Sequence, residues 1–139
     1  MGSWQEYVDE HLMQELPSAP AGRTLLSGAI MGLDGGIWAS SENFPEMSHE
    51  EADVLAQGFD NPDILQNKGI RIASQKYISI QGVPGSVIRC KGFELKATGF
   101  TAMKCNQCIV MGLYGEGVQP NECNKVVEDF GDYLIELEF

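Results

Sequence analysis

Gly69-Ile70-Arg71-Ile72 and Tyr77-Ile78-Ser79-Ile80 alternate apolar with polar or small residues at a period of two, the repeat of a half-buried strand. Gly82-Val83-Pro84-Gly85 then turns the chain. Residues 86–91, 93–101 and 107–114 read as further strands, joined by glycine-bearing turns. No helical pattern interrupts this half, so neighbouring strands pair by hairpins and the sheet is antiparallel rather than parallel. Upstream, Leu33-Asp34-Gly35-Gly36-Ile37 sets Asp-Gly between apolar segments, a strong hairpin signal. It joins a small-residue, apolar strand within 24–33 to the returning Ile37-Trp38-Ala39. The total is five to seven strands.

Helices bracket these strands. Ser3 followed by Glu6 forms a capping box. Trp4, Tyr7, Val8, His11 and Leu12 fall at i, i+3, i+4, i+7 and i+8, which puts two large aromatics on or beside one apolar stripe. Chain ends fray unless held, so this helix must dock on the sheet. Residues 17–22 are a loop with two prolines. Ser48 and Glu51 form a second capping box, followed by the apolar face Ala52, Leu55, Ala56 and Phe59. Asn61-Pro62-Asp63 restarts a short helix, with asparagine as cap and proline at the first position. Pro120 opens a last helix running to about residue 137, with Cys123, Val127, Phe130, Leu134 and Leu137 inward and Val126 and Tyr133 alongside. Trp38, taken alone, reads as core. The fold class is α+β.

A chain of 139 residues with 43% apolar residues is one domain, 1–139, with one substantial core. No run reaches the length of a membrane span, and the N-terminus lacks a signal-peptide pattern; the expectation is a soluble intracellular protein. The net charge of -11 excludes a general nucleic-acid binder, which needs clustered lysine and arginine. Lys68, Arg71, Lys76, Arg89, Lys91, Lys96 and Lys104 nonetheless gather in the middle third. They read either as a binding face or as a solvated sheet surface.

Of the four cysteines, Cys105 and Cys108 form a Cys-x-x-Cys pair. A structural zinc site needs a second pair, which is missing, and a redox motif would precede a helix rather than the strand-like Ile109-Val110-Met111. The expectation is free, partly buried thiols, with a thiol redox or metal-binding protein as the alternative. Neither His11 nor His49 has a nucleophile or metal partner at motif spacing. The chain therefore reads as a binding module without a cofactor rather than an enzyme.

Several motifs occur in order from one end to the other: Trp4-Gln5-x-Tyr7-Val8-Asp9, Asp34-Gly35-Gly36-Ile37-Trp38-Ala39, Lys76-Tyr77, Ile80-Gln81-Gly82 and Val87-Ile88-Arg89. Cys123-Asn124-x-Val126-Val127-Glu128-x-x-Gly131-Asp132-Tyr133-Leu134-Ile135 closes the series. Together they resemble the profilin family, in its plant and protist branch. Residues 91–107, with Phe93, Phe100 and the cysteine pair, depart from the plant pattern and look a few residues longer. The resemblance implies a central antiparallel sheet, the N- and C-terminal helices together on one face and shorter helices on the other. It implies an aromatic patch of Trp4, Tyr7, Trp38, Tyr133 and Phe139 for proline-rich segments such as those of formin-like partners. It implies a second face for monomeric actin, at Lys76, Arg89, Lys91, Val118, Asn124 and Lys125, through which the protein regulates polymerisation and nucleotide exchange. A cytoplasmic, cytoskeletal, monomeric protein follows. Phosphoinositide binding is also a family property, and the acidic balance predicts that it is weak here. A small-ligand sensor with a similar five-stranded sheet is a further alternative.

Overall fold

The computed structural model describes residues 3–16, 23–94 and 97–139. The loop expected at 17–22, Lys96 and the side chains of Lys68 and Gln81 lie outside the described residues. Helix α1 (Trp4–Tyr7) runs into a π turn (Val8–Leu12). Strands β1 (Ser27–Gly32) and β2 (Ile37–Ser40) follow, then helices α2 (His49–Asp60) and α3 (Pro62–Lys68). Strands β3 (Ile70–Ile72), β4 (Gln75–Val83), β5 (Val87–Gly92), β6 (Gly99–Lys104) and β7 (Cys108–Tyr114) precede the last helix, α4 (Pro120–Glu136).

All seven strands join one antiparallel sheet in the order β2-β1-β7-β6-β5-β4-β3. Every residue of β1 and β7 is buried, because helices cover both faces at the middle of the sheet. On one face Val8, Leu12, Val127, Phe130 and Leu134 pack over Ile30 and Val110. On the other, Ala52, Leu55, Phe59 and Leu65 pack over Met31, Phe100 and Met111. An α+β architecture with terminal helices on one side and short helices on the other is thus observed.

Two glycines set how closely the terminal helices sit. A Cβ on Gly112 would lie 2.7 Å from both Leu25 Cδ1 and Val127 Cγ2, and one on Gly28 would lie 3.1 Å from Leu12 Cβ. A helical segment as short as Trp4–Leu12 does not persist alone in water. Val8 and Leu12, both 0% exposed, hold it down, each contributing about 1.5–3 kcal/mol by burial.

Four local expectations change. The first helix is not α-helical throughout: the Met13 amide donates to Val8 O, a bond that spans one residue more than an α-turn. Residues 93, 94, 97 and 98, expected as strand, are not strand. The Gly92 amide bonds Thr98 O and closes a loop, and the Lys76 ammonium lies 4.6 Å from the ring centre of the exposed Phe93. Leu137 is not on the inward stripe. The helix ends one residue before it and the chain doubles back, the amides of Glu138 and Phe139 bonding Ile135 O and Leu134 O, so Leu137 faces solvent. Asn61 holds the cap position of α3 but makes no side-chain cap bond. Of the two capping boxes expected from serine and glutamate, the one at Ser48 forms in full, Ser48 exchanging bonds with Glu51, while at the first helix only half forms, Ser3 accepting from the Glu6 amide.

Candidate functional site: an aromatic groove between the terminal helices

The Ser3 side-chain cap, which accepts from the Glu6 amide, starts α1 so that Trp4 and Tyr7 project toward α4 and the β1–β2 hairpin. Trp4 is the hub. Its ring centre lies 5.0 Å from that of Trp38, 5.6 Å from Tyr7 and 4.9 Å from Phe139. Tyr7 stands edge-on to Tyr133 at 6.3 Å. All five rings expected from the sequence are therefore brought into one array. Trp38 is 40% and Tyr133 39% exposed, while Trp4, Tyr7 and Phe139 are half-buried. Trp38 is thus not the core residue that it reads as in isolation.

The neighbours that place these rings are polar. Gln5 Nε2 donates to Ser40 O at 2.9 Å and ties α1 to the strand that carries Trp38. The turn between β6 and β7 holds the chain's last residues. The Gln107 amide donates to Phe139 O, and Gln107 Nε2 donates to Glu138 O at 3.1 Å.

Two members of the array were not expected as site residues. His11 stacks on Phe130 at 4.9 Å with an interplanar angle of 4°, and on Tyr133 at 5.2 Å. Its spacing four residues after Tyr7 was the available signal. Phe130 reads as core and is core, but its ring floors this end of the groove.

The array exposes flat rings whose edges carry indole N–H and phenol O–H donors. That combination suits an extended, preformed chain whose carbonyls are free, such as a polyproline II helix.

The second set of expected residues is dispersed over β4, β5 and the start of α4. Lys76 and Ile78 on β4 and Arg89 and Lys91 on β5 share one sheet face, with Ile78 paired to Lys91. Lys91 is exposed, and Ile78 and Ile80 are 44% and 56% exposed, so this face mixes apolar and cationic groups. Arg89 is already engaged: its guanidinium forks onto both Glu128 carboxylate oxygens, at 2.8 and 3.0 Å. Asn124 Oδ1 accepts from Thr101 Oγ1 at 2.6 Å. Lys125 pairs with Asp129 at 3.0 Å. The Val118 side chain is buried in the core, so any contact there runs through its surroundings.

All four cysteines are free and buried. The hydrogen bond between Cys105 and Cys108, with burial adding to it, pushes the Cys105 thiol up, and the same bond draws Cys108 down. Burial raises Cys90, and it pushes Cys123 up to about 12 despite bonds from Thr101. Among the described residues no group of three or more metal-ligating side chains is clustered, and no helix is long and apolar enough to cross a membrane.

A model of the profilin family matches residues 2–139. Profilin II of Acanthamoeba castellanii is 31% identical, with a TM-score of 0.84 over 99% of this chain and 100% of that chain. Schizosaccharomyces pombe profilin is 32% identical, with a TM-score of 0.81 over 99% and 100%. Mouse profilin IIa, solved in complex with a double repeat from the FH1 domain of mDia1, shares the fold at 22% identity, with a TM-score of 0.74 over 99% and 100%.

Proposed function

The chain belongs to the profilin family, and from that premise we infer that it binds monomeric actin, regulates its polymerisation and nucleotide exchange, and holds proline-rich segments of formin-like partners. The observation that carries the reading is the half-open array of Trp4, Tyr7, Trp38, Tyr133 and Phe139 around one hub ring. A proline-rich segment loses little entropy on docking, because its helix exists before it binds. Aromatic faces receive the pyrrolidine rings, and the N–H and O–H edges donate to the carbonyls between them.

The actin face is the β4–β5 surface of Lys76, Arg89 and Lys91 with the start of α4 at Val118, Asn124 and Lys125. Its cations lie beside exposed Ile78 and Ile80, which gives both steering charge and apolar contact. Exchange of actin's nucleotide follows from tighter binding to one actin conformation, with no catalytic side chain on this protein. The protein acts as one domain over residues 1–139, monomeric and cytoplasmic, with weak phosphoinositide binding.

A poly-L-proline column and an actin-binding titration test both faces. The wild-type chain is retained in high salt and Trp4→Ala is not. Lys91→Glu weakens actin binding about tenfold, in line with reversing one interfacial charge, and leaves poly-L-proline binding intact. Passage of the wild-type chain through the column sinks the groove assignment. Equal loss of both ligands in Lys91→Glu sinks the separation of the faces. Replacing Cys105 and Cys108 by serine leaves both ligands bound if the thiols have no part in either site.

A further inference from the structure

The aromatic groove has an acidic rim on both sides. The described residues of the N-terminal helical segment, 3–16, include no lysine or arginine, and neither do residues 126–139. Glu10 follows Tyr7 by three residues, one turn along the same surface. Across the groove Glu136 follows Tyr133 by three, and Glu138 precedes Phe139. All three carboxylates are exposed, and none has an ion-pair partner among the described residues. Lys125, the cation on α4, sits two turns before Tyr133 and is tied to Asp129.

An oligoproline core carries no charge, so this field does nothing for the prolines themselves. It acts on whatever flanks them. Resting on the proposed proline-rich ligand, we propose that this groove selects proline-rich segments flanked by lysine or arginine and disfavours those flanked by acidic residues. The discrimination is like-charge exclusion as much as attraction. It operates over a Debye length, so it reaches flanking residues that touch no ring.

Three peptides test this: an oligoproline with neutral ends, the same core with two lysines at each end, and the same core with two glutamates at each end. Their affinities are measured by fluorescence titration at low and high salt. At low ionic strength the lysine-flanked peptide binds about tenfold tighter than the glutamate-flanked one, with the neutral peptide between, a spread expected of several exposed charge pairs acting together. At about 1 M salt, where the screening length is about 3 Å, the three converge. In a Glu10→Lys/Glu136→Lys variant the low-salt preference falls to near parity. Equal affinities for the two charged peptides in the wild-type chain at low salt overturn the proposal while the neutral peptide still reports an intact groove. Failure of all three peptides overturns the groove itself, and the inference with it.

Discussion

The Glu51 carboxylate accepts from the Ser48 amide at the start of its own helix and from the amides of Ala73 and Ser74, at 3.0 and 2.8 Å. Those two residues form the turn between β3 and β4, and both have positive φ, +50° and +69°, a conformation that costs a non-glycine residue about 1–2 kcal/mol. Burial by itself would raise this carboxyl. The amides of Ser48, Ser74 and Ala73 outweigh burial and hold it below its ordinary value of 4.5. The folded chain thus binds this proton less readily than the unfolded chain does. Its contribution is complete above pH 4.5 and is lost as the pH falls through the lowered folded value. Glu51→Gln should destabilise the protein by about 1 kcal/mol at neutral pH. It should also flatten the acid limb of a plot of urea-unfolding free energy against pH. An acid limb as steep as that of the wild-type chain would contradict this role. Nothing in the pair Ala73-Ser74 announces a tight turn, because the group that stabilises it is 22 residues away. Asp34-Gly35, by contrast, carries its own turn chemistry, with the Gly36 amide bonded to Asp34 Oδ1, and could be read directly. Trp38 marks the same boundary: its residue type says core, and only the neighbouring Trp4 makes it a groove wall.

At the scale of elements, amphipathic period and capping residues located the helices, and alternation located the sheet. The exceptions have common physics. Residues 93–98 alternate like a strand, yet the chain must reverse between β5 and β6, and alternation does not encode where a strand stops. The π turn at Val8–Leu12 is equally silent in sequence, since Val8, His11 and Leu12 satisfy an α-helical stripe as well. Its wider spiral lets Val8 and Leu12 both reach full burial while His11 lies flat on Phe130. The Arg89–Glu128 fork clips β5 to α4, with both side chains about three-quarters covered (22% and 25% exposed). A bidentate, partly covered pair contributes about 1–2 kcal/mol. Arg89→Ala and Glu128→Ala should each lower the urea midpoint, and the double variant should lose less than the sum of the two. Full additivity would show that the two side chains act separately. Because this guanidinium is already bound within the chain, the resemblance could name Arg89 as a face residue but not reveal its partner.

For the whole molecule, the order of elements and the two-sided packing were legible from one end to the other. The distribution of solvent was not, because exposure depends on what the neighbouring element covers. The cysteines illustrate this. Their spacing invites metal or redox chemistry, while the fold buries all four. In the native protein at pH 8 a thiol reagent such as dithionitrobenzoate should find almost nothing to modify, with Cys90 raised and Cys123 pushed up to about 12. After unfolding in guanidinium all four thiols of the chain should titrate. Rapid modification of two thiols in the folded state would reopen the alternative at Cys105 and Cys108.

The sheet ends on its two shortest strands, β2 with four residues and β3 with three, and the Gln5 side chain occupies the Ser40 carbonyl on one of them. Open strand edges are where one folded chain templates onto another. Past β3, however, β4 runs on from Ile78 to Val83 without a strand partner on that edge, and there the net charge of -11 works to keep copies apart. A protein built this way leans on its charge for solubility at the concentration that a binding partner held in reserve requires.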